Sequence, residues 1–215
     1  MDFNKISKQY LKQNIPLPYD LAFNLGKEAL RALRDEDPQS IAACIALLVG
    51  LHTKATYGYS VGESHHSYDT PPDASEQIAG VCAAIMEGMN DSFITTDQQI
   101  VVDNCGMGGD YLRTANVSTL SALIAASTGR VKVCKHGSPG NADAGRQGSS
   151  DFINELGINT FTSTENLIRS IEICGFAYTE ALDTRYKLIH HLSHTFVPLS
   201  HMNDIIGPIT NPIDP

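Results

Sequence analysis

The chain has 215 residues, of which 42% are hydrophobic, enough for one sizeable core or one core with a smaller satellite. Its net charge is −9 and its isoelectric point is about 5.2. An acidic chain without a Lys/Arg run repels phosphate backbones, which argues against non-specific nucleic-acid binding. No apolar stretch reaches the length of a membrane span, and the first residues do not resemble a signal peptide. We therefore expect a cytoplasmic protein that binds neither membrane nor nucleic acid, and the five cysteines without CxxC spacing indicate reduced thiols.

The first part of the chain is predicted to be helical. Asp37 followed by Pro38 is typical of a helix cap and a first helical residue. Residues 56–74 contain glycines and prolines without any period, which predicts a long loop or insertion. Apolar residues at helical spacing predict helices at 20–33, 41–51 and 75–89.

From about residue 97 the pattern changes to short β-type runs that alternate with helical segments. This alternation predicts an α/β fold with a parallel sheet. The strands are predicted at 99–103, 130–134 and 176–178, and the helices at 118–127, 150–156 and 165–174.

A glycine-rich loop follows the first predicted strand. Glycines in such a turn allow successive N–H groups to surround an anion. The next helix begins close by, and its free N–H groups and positive dipole end favour phosphate. A tight strand–helix turn without a ligand is the plainer alternative, but the amide and hydroxyl groups at the helix start favour phosphate binding. The candidate residues are Gly106, Gly108, Gly109, Asp110, Asn116, Ser118 and Thr119.

A second candidate loop, Lys135-His136-Gly137, follows the second predicted strand. Ligands of parallel α/β sheets bind beyond the carboxyl ends of the strands, so both loops should open on the same edge. Lys135 offers a charge for a phosphate and Gly137 offers backbone access. His136 would bond a sugar hydroxyl or, alternatively, only local backbone. Ser149 and Ser150 are expected to cap the following helix.

Together these motifs resemble the anthranilate phosphoribosyltransferase family, in the glycosyltransferase group that also contains pyrimidine nucleoside phosphorylases. The family motifs GTGGD, NIST, KHG, GSxD and LLGPLTNP have counterparts here in the same order. The resemblance covers nearly the whole chain. The matching segments are 106–110, 116–119, 135–137, 148–151 and 205–212.

The resemblance implies a domain organisation. A small N-terminal helical domain, 1–93 with the insertion at 56–74, would form the contact of a homodimer. An α/β phosphoribosyl-binding domain of the nucleoside phosphorylase/phosphoribosyltransferase type would span 94–180, followed by a helical or hinge segment at 181–215. The sequence stops before the family's Asp-Glu pair and its remaining strands. We therefore expect a partial parallel sheet with an exposed edge, as in a fragment or a half-length homologue.

The resemblance also implies a reaction. The phosphoribosyl group of phosphoribosyl diphosphate (PRPP), complexed with Mg²⁺, would pass to an aromatic nitrogen. The glycine loop, Asn116, Thr119, Lys135, Gly137 and Arg146 would hold the anionic groups of PRPP, and Ser118 would contact the magnesium. No catalytic acid or base is assigned, because positioning and neutralisation of the leaving group carry such a transfer.

The acceptor side departs from the family pattern. His194 occupies the position of the family's anthranilate-binding arginine, and an imidazole does not replace a bidentate carboxylate clamp. We therefore expect an aromatic nitrogen acceptor other than anthranilate, or anthranilate used only weakly, contacted by His136, Asn141 and His194. Two alternatives stay open: an enzyme of nucleoside-phosphorylase type, with phosphate as nucleophile, and a non-catalytic phosphoribose-binding homologue or fragment.

Overall fold

The computed structural model describes residues 1–13, 15–57, 74–89, 100–106, 115–140, 147–185, 189 and 206–213. Within them the helices are α1 (Phe3–Ile6), α2 (Tyr19–Arg34), α3 (Pro38–Tyr57), α4 (Ser75–Gly88), α5 (Val117–Ser127), α6 (Ser149–Glu155) and α7 (Thr164–Cys174). A π-helical turn, Ser7–Leu11, continues α1. The strands are β1 (Val101–Val102), β2 (Lys132–Gly137) and β3 (Phe176–Glu180). None of the described helices has the length and apolar character needed to span a membrane.

The N-terminal helices form because their apolar residues recur at helical spacing. In α2, Ala22 and Leu25 are completely buried, and the helix packs closely against α4. A Cβ at Gly80 of α4 would lie 2.5 Å from the carbonyl oxygen of Tyr19, so glycine permits this close approach. The carboxylate of Asp37 accepts hydrogen bonds from the N–H groups of Gln39 and Ser40, and α3 begins at Pro38. The helices predicted in this part and the Asp37-Pro38 start are confirmed. The loop predicted at 56–74 cannot begin at residue 56, because α3 reaches Tyr57, and its residues 58–73 lie outside the described part of the chain.

The second part contains a parallel sheet with strand order β1-β2-β3, which confirms the α/β prediction. Val101 pairs with Lys132, and Cys134 pairs with Ala177. In the described part of the chain β1 is an edge strand, and the neighbouring Ile100 is 85% exposed. On α5, Val117 and Ile124 are each 65% exposed. Exposed apolar residues thus occur beside β1 and on α5, and the exposed edge expected of a partial sheet stays a prediction.

The second strand lies further along the chain than predicted. It runs from Lys132 to Gly137 instead of 130–134. Lys135, His136 and Gly137 are therefore the last three residues of β2 and not a loop that follows it. Their identities give a weak β signal, and their strand conformation comes from pairing with Tyr178, Thr179 and Glu180 of β3.

Two apolar clusters lie on opposite faces of the sheet. The larger contains Cys134 and Ala177 together with residues of the N-terminal helices and of the 206–213 segment. The smaller contains Val133 and Tyr178 together with residues of α5 and α6. Because side chains alternate along a strand, His136 lies on the Cys134 face, whereas Lys135 lies on the Val133 face. Because the larger cluster contains residues of the helices and of the strands, the domain boundaries at 93 and 180 stay predictions.

Candidate phosphate-binding site

The N-termini of α5 and α6 lie side by side at the carboxyl edge of the sheet. Asn116 precedes α5, and its side-chain amide donates a 3.0 Å hydrogen bond to the carbonyl oxygen of Gly148, which precedes α6. The other end of the same side chain accepts a 3.1 Å hydrogen bond from the hydroxyl of Thr119. The two helix starts are held together in this way, although the N–H groups of Gly148 and Ser150 at α6 already donate to Asp151 and to the carbonyl oxygen of Ser138.

Residues 138–140, which follow β2, pack against the start of α6. One carboxylate oxygen of Asp151 accepts hydrogen bonds from the N–H groups of Gly140 and Gly148, both at 2.7 Å. A Cβ at Gly148 would lie 2.3 Å from the carbonyl oxygen of Ser138. Only glycine therefore fits at this helix start.

The expectation that Ser149 and Ser150 cap α6 is wrong. Gly148 is the capping position, and Ser149 and Ser150 are already helical. Their hydroxyls each lie 2.9 Å from the hydroxyl of Tyr178 on β3. The helix start is thus held by Asp151, and the serine pair ties α6 to the sheet.

Lys135 is a buried cation at this edge. Its side chain is 1% exposed and lies on the face covered by α5 and α6. Within the ranges given above, no hydrogen bond or ion pair to its ammonium group is found. A phosphate that reached this ammonium would form a charge-assisted hydrogen bond with it.

His136 is buried on the opposite face and is held by the protein at both ring nitrogens. Nδ1 lies 2.5 Å from Oδ2 of Asp103, and Nε2 lies 2.7 Å from the carbonyl oxygen of Gly207. Burial alone would raise the pKa of Asp103, but hydrogen bonding and charge from His136, a hydrogen bond from Asn211 and the charge of Lys135 hold it below its ordinary value. A sugar hydroxyl or an acceptor would have to displace one of these partners to bond the ring, so that role of His136 stays a prediction.

The beginning of the glycine loop is tied to α5. The side-chain amide of Asn104 donates to the carbonyl oxygen of Ser118 at 2.8 Å and to the hydroxyl of Ser121 at 2.9 Å. A Cβ placed on Gly106 would lie 3.7 Å from Oγ of Ser118. The structure therefore brings Gly106, the hydroxyl of Ser118 and the start of α5 together.

The described residues fit a magnesium ion only in a limited sense. Ser118 provides one half-buried hydroxyl oxygen, and no group of three or more His, Cys, Asp or Glu side chains suited to a metal occurs in the described ranges. Magnesium in phosphate-transfer sites is commonly held by one or two protein groups, with substrate phosphates and water completing its octahedron. Ser118 thus fits a magnesium ion that arrives with a diphosphate, not a metal centre built by the protein alone.

Several of the candidate residues lie outside the described part of the chain, and their predicted roles are unchanged. They are Gly108, Gly109, Asp110, Asn141, Arg146 and His194.

Two acidic residues at the carboxyl edge of the sheet were not among the candidates from the sequence. Asp103 is the last residue of a predicted strand, and an acidic residue in that place is a usable signal. Glu180 ends β3, which extends two residues beyond its prediction, and its side chain is 3% exposed. Burial raises the pKa of Glu180 against the opposing effect of hydrogen bonds from the hydroxyls of Ser150 and Thr160 and the N–H of Leu182.

The fold and the site together define a class of protein. It is an α/β protein whose parallel sheet presents a buried lysine and two adjoining helix N-termini at its carboxyl edge, an arrangement suited to a phosphorylated ligand. Residues 98–215, which are 118 of the 215, match the family model described as glycosyl transferase family, a/b domain. The chain belongs to this glycosyl transferase family.

Relatives of known function agree with the predicted resemblance. The chain is 31% identical over 193 residues to anthranilate phosphoribosyltransferase of Methanosphaerula palustris, which covers 86% of this chain and 54% of the relative. It is 33% identical over 132 residues to the protein of the same name from Hydrogenovibrio crunogenus, covering 60% of this chain and 38% of the relative. The chain thus spans about half the length, or less, of these relatives.

Solved structures confirm the fold. Anthranilate phosphoribosyltransferase of Thermus thermophilus superimposes with a TM-score of 0.67 at 26% identity, covering 99% of this chain and 56% of that one. The Saccharomyces cerevisiae enzyme in complex with PRPP and Mg also gives 0.67, at 20% identity, covering 98% of this chain and 55% of that one.

Proposed function

We propose that this chain binds PRPP at the carboxyl edge of its sheet and takes part in transferring the phosphoribosyl group to an aromatic nitrogen acceptor. The observation that carries this proposal is Lys135, a residue that is 1% exposed on the face covered by α5 and α6 and has no ion pair in the described part of the chain. A phosphate or diphosphate would neutralise it. The PRPP complex of the yeast structural neighbour and the names of the relatives give the proposal its substrate class.

The remaining site residues would hold the anionic groups by their backbones. Asn116 fixes the start of α6 beside the N-terminus of α5, whose backbone N–H groups would contribute to binding the anionic groups. Gly106 leaves space for a ligand to approach the chain closely near Ser118. When bound through Ser118, magnesium would supply positive charge to the leaving diphosphate.

The chemistry needs charge neutralisation more than proton transfer. As the diphosphate leaves, the C1 carbon of the ribose becomes cation-like and the leaving oxygens gain negative charge. Lys135 and the helix N-termini are fixed before the reaction, so they stabilise that charge without reorganising. Orientation of the acceptor nitrogen towards C1 would account for the rest of the rate enhancement.

The acceptor is proposed by class only. The relatives are named for anthranilate, whereas His194 replaces the arginine that the family resemblance leads us to expect. We propose an aromatic nitrogen compound whose binding does not require an arginine to hold a carboxylate. Asn141 and His194 would be among the residues that contact it. A panel of aromatic amines and nitrogen heterocycles, with anthranilate among them, would rank the acceptors by product formation.

Calorimetric titration with PRPP tests the proposal. Binding should need Mg²⁺, and Lys135→Met should weaken it at least about tenfold, because one charge-assisted contact is lost. Lys132→Met removes a lysine from the same strand and should leave affinity unchanged. If PRPP with Mg²⁺ does not bind, or if both variants bind equally well, the proposal is wrong.

Two further ligands separate the alternatives. Ribose 1-phosphate binding without PRPP binding would favour the nucleoside-phosphorylase type. PRPP binding without turnover for any acceptor would favour a phosphoribose-binding protein that is not an enzyme by itself.

We also propose that the helical part forms a homodimer contact in a reducing, cytoplasmic compartment. Along α3, the apolar Ile41, Ile45 and Val49 recur every four residues and are only half-buried, as expected of a helix that meets a second copy. All five cysteines are free thiols, which suits a reducing compartment. Light scattering of the full chain, with Ile45→Glu expected to give the smaller mass, tests the dimer.

A further inference from the structure

A buried hydrogen-bonded chain links the end of β1, the end of β2 and the 206–213 segment. Its members are Asp103, His136 and the carbonyl oxygen of Gly207, with distances of 2.5 Å and 2.7 Å at the two ring nitrogens of His136. The residue His136 is 2% exposed, so the ring faces protein and not solvent. Asp103 and His136 are 33 residues apart in the chain, and Gly207 is 71 residues beyond His136.

The partners of the ring determine its protonation. A carbonyl oxygen can only accept a hydrogen bond, so Nε2 must donate to Gly207. Oδ1 of Asp103 accepts from the backbone N–H of Asn104 at 2.8 Å and from that of His136 at 3.4 Å, and these bonds favour the ionised carboxylate, which can only accept. With Nε2 donating to Gly207, Nδ1 is left to donate to this carboxylate, which is the arrangement of an imidazolium.

We propose that Asp103 and His136 are positioning residues that form an ionic latch, a carboxylate–imidazolium pair that fastens the 206–213 segment to the carboxyl ends of β1 and β2. The segment carries two further hydrogen bonds that hold it in place. The side-chain amide of Asn211 donates to the carbonyl oxygen of Cys134 at 3.0 Å and accepts from the N–H of Ile213 at 3.1 Å. The latch and these bonds join the 206–213 segment, which is remote in sequence, to β2. That strand also carries Lys135 and Gly137 of the candidate site.

The same carboxylate also fixes the start of the glycine loop. Oδ1 of Asp103 accepts from the N–H of Asn104 at 2.8 Å, and Asn104 in turn holds α5 through Ser118. Breaking the latch should therefore loosen both the 206–213 segment and the entry to the glycine loop. The latch exists independently of the proposed function, but its effect on PRPP affinity rests on that function.

The neighbouring groups act mainly on Asp103. A hydrogen bond from the side chain of Asn211 and the positive charge of Lys135 both favour its carboxylate, whereas the Lys135 charge opposes a proton on the adjacent His136. On the His136 face, burial raises the pKa of Cys134 to about 12, so that thiol stays neutral. Opposite His136 on β3 stands the uncharged Thr179. Glu180, the next residue, lies on the other face by alternation.

Nitrogen NMR of the histidine rings tests the protonation directly. In the ligand-free full chain labelled with ¹⁵N-histidine, the signal lost in His136→Gln identifies the ring. At pH 7.5 a free histidine, with a pKa of about 6.5, is mostly neutral, whereas both His136 nitrogens should still carry protons. A single protonated nitrogen at that pH would overturn the proposal.

Two substitutions of Asp103 separate the ionic pair from simple packing. In Asp103→Asn the amide can donate to Nδ1, so a neutral ring still bonds Gly207 through Nε2. Asp103→Ala removes the partner, and hydrogen-exchange protection of the amide of Ile213 should fall about tenfold or more. Glu172→Gln, an exposed carboxylate-to-amide change in α7, should leave protection unchanged.

The pH dependence of that protection should reverse between variants. In the wild type, protection corrected for intrinsic exchange should fall as the pH rises and the ring loses a proton, because one nitrogen then faces an acceptor with a lone pair. In Asp103→Asn it should fall as the pH is lowered, because a ring with two protons faces an amide N–H. If protection depends on pH in the same way in the wild type and in Asp103→Asn, the latch proposal is wrong. If Asp103→Ala loses PRPP affinity while the exchange of the Ile213 amide is unchanged, the latch proposal is also wrong. If the latch is intact but the protein does not bind PRPP, only the proposed function is refuted.

Discussion

The side-chain amide of Asn116 donates to the carbonyl oxygen of Gly148 at 3.0 Å, and this bond brings together two helices across 32 residues of the chain. The same side chain accepts from the hydroxyl of Thr119, which is completely buried. One asparagine thus satisfies a buried hydroxyl and sets the spacing of two helix N-termini. Stability and anion binding should both depend on it.

Replacement of Asn116 should therefore have two measurable effects. Asn116→Ala should lower the free energy of unfolding by about 1–3 kcal/mol, because the Thr119 hydroxyl and the Gly148 carbonyl each lose a partner. It should also weaken PRPP binding, since the α5 and α6 N-termini are no longer held together. Urea denaturation and calorimetry measure these effects. Asn154→Ala, at an exposed position of α6, is the control and should change neither.

Two glycines at the sheet edge should respond differently to alanine. A Cβ at Gly137 would lie 1.9 Å from the hydroxyl oxygen of Ser149 and 2.5 Å from that of Tyr178, so Gly137→Ala should destabilise the fold by about 1–3 kcal/mol. At Gly106 the nearest atom would be the Ser118 hydroxyl oxygen at 3.7 Å, an ordinary contact. Gly106→Ala should therefore leave the thermal unfolding temperature nearly unchanged. Equal loss of stability in both variants would show that contact at Gly137 is not the cause.

The helices and the parallel sheet could be predicted from the sequence because their signals are local. In α2 the apolar residues recur on one face, and Ser163 caps α7 by accepting from the N–H of Asn166. The alternation of strands and helices was sufficient for the fold class. These patterns need no information about distant parts of the chain.

The contacts that organise the site could not be predicted in the same way. Lys135 and His136 have weak strand propensity, and β2 reaches them only because β3 pairs with them. Asp103 contacts His136 although the two are 33 residues apart, and no local sequence pattern predicts that contact. The sequence motifs made Lys135 and His136 candidate site residues. They did not predict that Lys135 is buried or that His136 is held at both ring nitrogens.

The cysteines should divide into two groups by reactivity. Cys174 is exposed and Cys105 is half-buried, whereas Cys44, Cys82 and Cys134 are buried. Burial raises the pKa of Cys44 to about 11 and that of Cys134 to about 12, so their reactive thiolates are scarce at pH 8.

A thiol-reactive dye at pH 8 should therefore modify two cysteines quickly in the native protein and all five in denaturant. Cys174→Ser should remove one of the fast thiols. Rapid reaction of a third thiol under native conditions would contradict the buried placement of Cys44, Cys82 or Cys134.

Glu180 should make stability depend on pH in a direction opposite to that of most carboxylates. Burial is the main cause that raises its pKa in the folded state, so between its ordinary value, about 4.5, and the raised value the folded protein binds more protons than the unfolded chain. The free energy of unfolding should then fall as the pH rises through that window and stay level above it.

Glu180→Gln removes this titration while its side-chain oxygen can still accept from the N–H of Leu182, which lies 3.2 Å from Oε1 of Glu180 in the structure. Relative to the wild type, the variant should gain stability progressively as the pH rises above about 4.5, and the two should converge below it. Urea denaturation at several pH values between 4 and 8 measures the difference. Glu155→Gln, an exposed change in α6, should give a flat difference across the same range. A wild type that becomes more stable than Glu180→Gln as the pH rises would show that the folded state favours the ionised carboxylate.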